Sequence, residues 1–582
     1  MLSFQKSRQT DKDQAAPCTD KQRFQNFWCH AAALIFALFM VFGRSFEKTD
    51  SWGLIIGSAT DCLLSLVQGV CWYLVFYIAI FYLYRFLDET SVSSEPAHAH
   101  DKKNSGLIRA AGRLARMYMT LLRQHPVRTV FCTMMIVNIP YMVLSYPAIF
   151  MGDTGYQISQ GFNEAGLTNH HPVVHTLFLS LFLRIGEMIG SCNIGIFLYC
   201  LVQTVFLCAV IAYAVGALVE IKANNVLTVG IVLYYCIHPR ISSYLFLVAK
   251  DVFYSAFLTL FYILLFKLIQ SGLLKRKWDY AVFALSIIGV TVFRNDGKYV
   301  IIFTLLIALF YKKFRWAAFS YLVLAVLTSA GLSEILFPLL DVEPGSVREM
   351  LSVPFQQTAR YVRDAGDDLS DSEIEIIDHV LDYESLASSY DPDISDPVKG
   401  TYHGTPEDLK EYFGVWFQML LRHPGIYVQA TMNNYYQYFY PGQTSLNYFS
   451  YGWGEYKMEE LNKSLQTDYH LPKNLNDARN SFEMLREDIF NLPLLFLLKS
   501  PAFYIWAALL FLCYCLRRKC LPGIIYCAPM FVQLLIFITG PTNGYYCRYE
   551  YPMLIYLPVV LVLGLKLLEN HSHPYTAPDQ AR

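Results

Sequence analysis

The chain is 582 residues long, 54% hydrophobic and 16% charged, with a formal net charge of −1. Ordinary soluble domains carry about 25% charged residues, so the composition excludes that class and points to a polytopic membrane protein. A net charge this close to zero excludes nucleic acid as a partner, because binding it requires a basic face.

Residues 1–26 form a polar leader with Lys6, Arg8, Lys12, Lys21 and Arg23. No small-residue cleavage site follows the first apolar run, which therefore reads as a retained span. Crossing a bilayer takes about 20 apolar residues. On that measure spans are expected near 27–46, 70–88, 128–147, 171–189, 194–219, 251–270, 279–293, 297–312, 317–338, 493–516, 521–539 and 550–567, with a weaker segment at 225–237. The expected fold is an all-α transmembrane bundle of about 12–13 helices.

Basic residues collect on the cytoplasmic side of spans. The leader, Lys102 to Arg128, Lys275 to Lys277, Lys312 to Arg315 and Arg517 to Lys519 are assigned there, with a cytoplasmic tail at 568–582. Residues 27–127 then hold two additional N-terminal spans and a linker, "LIRAAGRLARMYMTLLRQ" (Leu107 to Gln124), whose apolar and Arg-bearing faces suit a helix lying flat on the inner leaflet. A transmembrane module follows over 128–338, with its first outer loop at 148–170. Residues 339–492 form an extracytoplasmic helical domain or loop, and 493–567 hold the C-terminal spans. Within the outer region Ser370 and Glu373 have capping-box spacing, and Thr405 and Pro406 read as the N-cap and first residue of a helix.

This topology puts Asp153, "RNDGK" (Arg294 to Lys298) and "GPTNGYYCRYE" (Gly540 to Glu550) outside. Lys250 and Asp251 should also face outward, yet three apolar segments separate them from Asp153. An odd number of crossings cannot join two sites on one side, so either 171–189 or 225–237 does not cross fully or one side assignment is wrong, and an incomplete crossing is the favoured reading.

The 14 cysteines lie mostly in apolar segments, and none falls within 340–490. That pattern argues against a disulfide framework and against a CxxC metal site. His171 and His175 have the i, i+4 spacing of zinc ligands, but the intervening glutamate of HEXXH and any further ligand are missing. No metal site is assigned. Asp153 follows "YPAIFMG" at the edge of a span, where an acid that strayed into lipid would cost about 2.5–3.5 kcal/mol. Lys250, Arg294 and Arg548 each put a cation at the outer end of a span. Each has an ion-pair explanation nearby, Lys250 with Asp251 or Arg548 with Glu550. Together on one side they also suit an anionic headgroup.

With these motifs in place, "GDTGYQ", "NHHPVVHT" and "AKDVFY" resemble, in content and order, the GT-C superfamily of membrane glycosyltransferases, the fold class of the protein O-mannosyltransferases and the lipid A aminoarabinose transferase. A closer resemblance is to a bacterial family of uncharacterised polytopic proteins. It rests on "MGDTGYQ", "HHPV", "FRNDG", "SVPFQQTARYV" and "YFYPG" and runs from roughly residue 125 to 565. The resemblance implies inverting transfer of a sugar from a polyprenyl-phosphate donor to a glycan, lipid or protein acceptor outside the cell membrane. It implies Asp153 as general base and Lys250, Arg294 and Arg548 as phosphate ligands. Gln157, His170, His171, Asp251, Asn295, Gln357 and Arg360 would be substrate contacts. No cofactor is implied with certainty, and the lack of a DxD in the first loop leaves dependence on a divalent cation open. The alternative is a transporter or flippase of a lipid-linked or anionic substrate. Such proteins carry internal repeats and helices broken at the midplane, and no repeat is legible here.

Overall fold

The computed structural model describes residues 20–93, 106–162, 165–442, 450–493, 495–540 and 548–572. Residues 1–19 of the leader, the tail beyond 572 and 541–547 of "GPTNGYYCRYE" lie outside the described residues.

Helices dominate, and among the described residues the only β pairing is in isolated bridges. The first part of the chain forms α1 (Asp20–Thr49), α2 (Ala59–Glu89), α3 (Gly106–Gln124), α4 (Pro126–Val137), α5 (Gly152–Gly161), α6 (Val173–Ile189) and α7 (Cys192–Glu220). Then come α8 (Asn225–Ile237), α9 (Pro239–Leu245), α10 (Lys250–Ser271), α11 (Lys277–Phe293), α12 (Gly297–Ala308) and α13 (Arg315–Gly331). The intervening region contains α14 (Ser352–Ala365), α15 (Asp371–Asp378), α16 (Asp408–Arg422), α17 (Pro424–Phe439), α18 (Tyr451–Leu465) and α19 (Asn476–Phe490). The chain closes with α20 (Pro501–Arg517), α21 (Leu521–Thr539) and α22 (Tyr551–Ser572).

Seven helices among the described residues are long and apolar enough to cross a bilayer, and the bent pair α8–α9 would make eight. The protein is an all-α polytopic membrane protein. Its hub is α10, whose apolar stretch is 94% buried and which packs on α7, α11 and α22. The corresponding stretches of α2 and of Arg315–Leu339 are only 11% and 6% buried, so their apolar side chains face the surroundings, as lipid-facing helices do.

Several expected spans are reshaped. The 128–147 run is not one helix: α4 stops at Val137, and a short helix, Ile139–Leu144, carries Pro140 in its first turn. Proline lacks an N–H and crowds the preceding turn, which breaks the run there. The 493–516 run becomes helical in earnest only at Pro501, a residue suited to a first helical position. The outer helix is regular from Asp408, and Thr405 caps it as expected: its Oγ1 accepts from the Asp408 amide at 3.4 Å and its own amide donates to Asp408 Oδ2 at 2.8 Å. The capping box of Ser370 and Glu373 is present.

The unmatched crossing is α6. At its start His171 Nδ1 lies 3.2 Å from Lys250 Nζ. Just past its end, Asn193 Oδ1 accepts from the His470 amide at 3.3 Å. Residues 450–470 pack at the Asp153 end, where Phe150 and Tyr469 rings are 5.1 Å apart. Both ends of α6 are therefore at one end of the bundle, and it does not cross. Gly186 and Gly195 permit the fold-back: a Cβ on Gly195 would lie 2.6 Å from Phe182 O and 2.8 Å from Gly186 Cα. The weaker 225–237 segment, α8, continues after a 55° bend into α9 and returns the chain to Lys250.

The basic clusters assemble at the opposite end of the bundle. There Arg517 and Arg518 meet Asp88 of α2 at 2.8 and 2.7 Å, and Lys267 lies 3.7 Å from Glu220. On α3, Leu114, Met117 and Leu121 form an exposed apolar stripe at helical spacing, the pattern of a surface-lying helix.

The 339–492 region is two structures. Residues from α14 to the start of α17 bury their own core of Phe355, Tyr361, Ile377, Leu381, Tyr412 and Met419. Tyr451, Met458, Leu461 and Tyr469 instead join the core of the bundle.

Candidate active site

Two chain segments are knitted together beneath the site. Ile149 N donates to Phe246 O at 2.8 Å, and Val248 N to Ile149 O at 3.1 Å, a short parallel bridge. Thr154 Oγ1 accepts from the Met151 amide at 3.0 Å and donates to Val248 O at 3.1 Å. Buried Gln203 of α7 donates to the carbonyls of Tyr244, Leu245 and Leu247 at 3.1, 3.1 and 2.9 Å. These bonds satisfy the irregular backbone ahead of α10, as buried carbonyls require. They set the first turn of α5, with Asp153, beside the first turn of α10, with Lys250 and Asp251. Carboxylates are favoured at both positions by the positive ends of the helix dipoles.

Around that junction, residues distant in sequence converge. Arg548 Nη1 donates to Asp153 Oδ2 at 2.7 Å, and its Nε to Asp251 Oδ2 at 2.6 Å. Arg294 donates from Nη1 to Asp251 Oδ1 and from Nε to Asp296 Oδ1, both at 2.7 Å. The Arg294 guanidinium lies 5.3 Å from the Tyr254 ring and 4.9 Å from the Tyr549 ring. Lys250 Nζ is 3.5 Å from Asp153 Oδ2. Three cations thus face three carboxylates, an array that is charge-balanced before any ligand enters.

Accessibility separates the acids. The Asp251 side chain is fully buried, whereas 30% of the Asp153 side chain and 27% of the Asp296 side chain are exposed. Burial alone would raise the Asp153 carboxyl, but the charges of Arg548 and Lys250 outweigh it and hold its pKa well below the usual range. His171 is buried, and desolvation, reinforced by Lys250, pushes its pKa down to about 2. It is therefore neutral at any physiological pH. Its Nδ1 is the acceptor for Lys250, which puts the imidazole proton on Nε2. Nε2 is buried and has no partner among the described residues.

Of the residues singled out from sequence, Asp153, His171, Lys250, Asp251, Arg294 and Arg548 come together. Exposed His170 stacks edge-on against His171 at 4.5 Å, and Asn295 Nδ2 donates to Asn169 O at 2.8 Å on the same rim. Three others are placed elsewhere. Gln157 is buried against α6, bonded to His175 at 2.9 Å and Thr176 at 3.1 Å. Gln357 bonds Thr431 at 2.8 Å and Trp416 at 3.2 Å within the separate outer core. Arg360 clasps Asp50 at the end of α1, at 2.9 Å, together with Asp364 and Gln429. All three belong to packing interfaces, because buried polar groups must find partners wherever they fall. Sequence reasoning missed Tyr254, Asp296 and Tyr549. Tyr254 stands one helical turn after Lys250, and the other two lie within the basic motifs. Among the described residues no group of three or more His, Cys, Asp or Glu is placed to hold a metal ion.

An apolar cavity of about 240 Å³ opens between α1, α17 and α21, lined by Phe39, Phe42, Tyr435, Tyr436, Phe439 and Ile538. The residue before Ile538, Phe537, contacts the Tyr549 ring at 6.1 Å, and Tyr549 in turn faces Arg294.

No curated protein and no solved structure matches the chain. A family described as "Family of unknown function (DUF6020)" matches residues 161–577, a range that takes in Lys250, Asp251, Arg294 and Arg548 and begins just after Asp153 and Gln157. With most of its length inside that match, the chain belongs to the DUF6020 family.

Proposed function

We propose that the protein is an inverting membrane glycosyltransferase that moves a sugar from a polyprenyl-phosphate donor to a hydroxyl of a glycan, lipid or protein acceptor. The observation that carries this reading is Asp153: a partly accessible carboxylate held beside Arg548, Lys250 and His171 at the end of a membrane bundle. Under the positive-inside rule the basic clusters at the other end belong in the cytoplasm, so the site works on the extracytoplasmic face of the cell membrane. The apolar cavity beside Phe537 supplies a hydrocarbon-lined place for the carrier chain.

The chemistry follows from the charge balance. A donor phosphate entering the cluster competes with Asp153 for Arg548 and Lys250. As those cations turn to the phosphate, Asp153 loses the charges that depress its proton affinity and becomes a better base. The acceptor oxygen attacks the anomeric carbon, the bond from that carbon to the phosphate oxygen breaks, and the acceptor proton passes to Asp153. The departing polyprenyl phosphate carries the bonding electron pair away, and its growing charge is met by Arg294, Arg548 and Lys250. His170, exposed at the rim and packed on His171, orients a substrate hydroxyl.

The bend between α8 and α9 is the feature that favours the transporter alternative. It leads to the rim of the bundle, and the polar groups beyond it are already paired. The decisive comparison is wild type against Asp153→Asn in membranes supplied with polyprenyl-phosphate-linked sugars. Loss of transfer in a stably made variant is expected. Transfer at the wild-type rate would remove Asp153 as base, and lipid movement between leaflets without any transfer would favour the transporter.

A further inference from the structure

Arg548, Tyr549 and Glu550 form a single 3-10 turn immediately ahead of α22. Their side chains run to three different partners. Arg548 reaches Asp153 and Asp251, the Tyr549 ring meets Arg294, and Glu550 forms an ion pair with Arg240 of α9. Arg240 Nη2 also donates to Lys499 O at 2.9 Å. Glu550 is fully buried and Arg240 is 3% exposed, so neither is in a position to touch substrate.

The pair joins the same two segments as the site does, one layer away from it. Residues 239–251 deliver Lys250 and Asp251, and residues 548–551 deliver Arg548. Between them run the Asp251–Arg548 bond, a stacked Tyr244–Tyr551 contact at 4.0 Å with planes 13° apart, and Arg240–Glu550. Farther along, Tyr234 Oη donates to Leu554 O at 3.0 Å and Tyr235 Oη to Ile555 O at 2.5 Å. The apolar and hydroxyl contacts hold α22 against α8 and α9. A buried ion pair adds little net stability compared with apolar side chains of similar size, and its directional geometry is what it contributes.

We infer that Arg240 and Glu550 are a positioning pair that sets the register of the 548–550 turn, and so fixes Arg548 where it bridges the α5 and α10 carboxylates and meets the donor phosphate. The inference rests on the glycosyltransferase reading for its effect on catalysis, but not for its effect on the turn. An anchored Arg548 is ready for the charge that grows on the leaving phosphate, so the pair should act on kcat more than on donor KM.

The test uses the full-length protein with Arg240→Met/Glu550→Met, which removes both charges together, and with the reversed pair Arg240→Glu/Glu550→Arg. Thermal melting, sugar transfer and amide hydrogen exchange are measured for each. The expected result for the Met pair is a melting temperature no lower than wild type, faster exchange confined to the amides of residues 548–551, and kcat lowered at least about tenfold with donor KM changed less than about threefold. Recovery of kcat in the reversed pair would support positioning by charge and geometry. Unchanged exchange and unchanged kcat in the Met pair would overturn the inference, as would faster exchange spread through α10 and α11. If wild type transfers no sugar while the 548–551 exchange still rises in the Met pair, the positioning role stands and the glycosyltransferase reading fails.

Discussion

Arg548 holds two carboxylates with one guanidinium: Asp153 through Nη1 at 2.7 Å and Asp251 through Nε at 2.6 Å. One of those acids is accessible and the other is fully buried. The arginine therefore links the exposed face of the site to the buried first turn of α10, and a planar fork is required to serve both directions.

Arg548→Lys keeps the charge and loses the fork. A single ammonium cannot reproduce both bonds, so kcat/KM for transfer should fall about 100-fold, equivalent to about 2.7 kcal/mol of transition-state stabilisation. Steady-state kinetics with a polyprenyl-phosphate-linked sugar reads this directly. A loss under threefold would mean that Arg548 acts only as a point charge.

The pH profile follows from the Asp153 environment. Its carboxyl sits well below the usual range because the charges of Arg548 and Lys250 outweigh its burial. Wild-type kcat/KM, which reports the free enzyme, should show no acid limb where an ordinary aspartate titrates. In Arg548→Gln the largest favourable charge is gone, the Asp153 pKa rises, and an acid limb should move up into the measured range. Superimposable profiles for the two proteins would refute the coupling.

His171 makes stability depend on acid. Its folded pKa of about 2 lies below the ordinary 6.5, so between those values the unfolded chain binds the extra proton. Stability is full above about pH 6.5 and falls as the pH drops below it, with a slope of at most about 1.4 kcal/mol per pH unit from this group. Melting curves of wild type and His171→Gln should converge in shape on acidification, the variant showing the shallower decline.

Arg360 should behave as a structural clasp. It is 2% exposed and bridges Asp50, at the end of α1, to the outer helices. Arg360→Ala is expected to destabilise the protein by about 2–4 kcal/mol, the partial exposure of Asp50 keeping the loss below that of a fully buried pair. Donor KM should be unchanged in the folded fraction, and a large KM increase would return Arg360 to the substrate site.

The fold-back of α6 predicts a labelling pattern. Met188 is 84% exposed, Tyr299 47% and Trp278 80%. Cysteines placed singly at 188 and 299 in a cysteine-free background should react with an impermeant reagent from the same side, and one at 278 from the other. Labelling of 188 together with 278 would restore α6 as a span.

Much of this was readable along the chain. Apolar length and basic clusters are local properties, and they located most of the long helices, the amphipathic helix α3 and the ends where the charges gather. The rim residues Asp153, Lys250, Arg294 and Arg548 stood out because a charge beside an apolar run needs a reason to be there. Polarity was a poorer guide at Gln157, Gln357 and Arg360, since a buried packing contact and a substrate contact call for the same residue types.

The sequence by itself determined the membrane character, the helical fold and the set of charges at the bundle rim, because hydropathy and helical periodicity are written within single segments. Only the tertiary structure decided that α6 stays at one end, that Arg548 bridges two acids, and that Arg240 meets Glu550. Those contacts join residues as far apart as 395 positions for Asp153 and Arg548 and 310 for Arg240 and Glu550. Their partners are selected by how helices pack, through close glycine contacts and shared buried surfaces, and no local pattern encodes which distant charge will answer which.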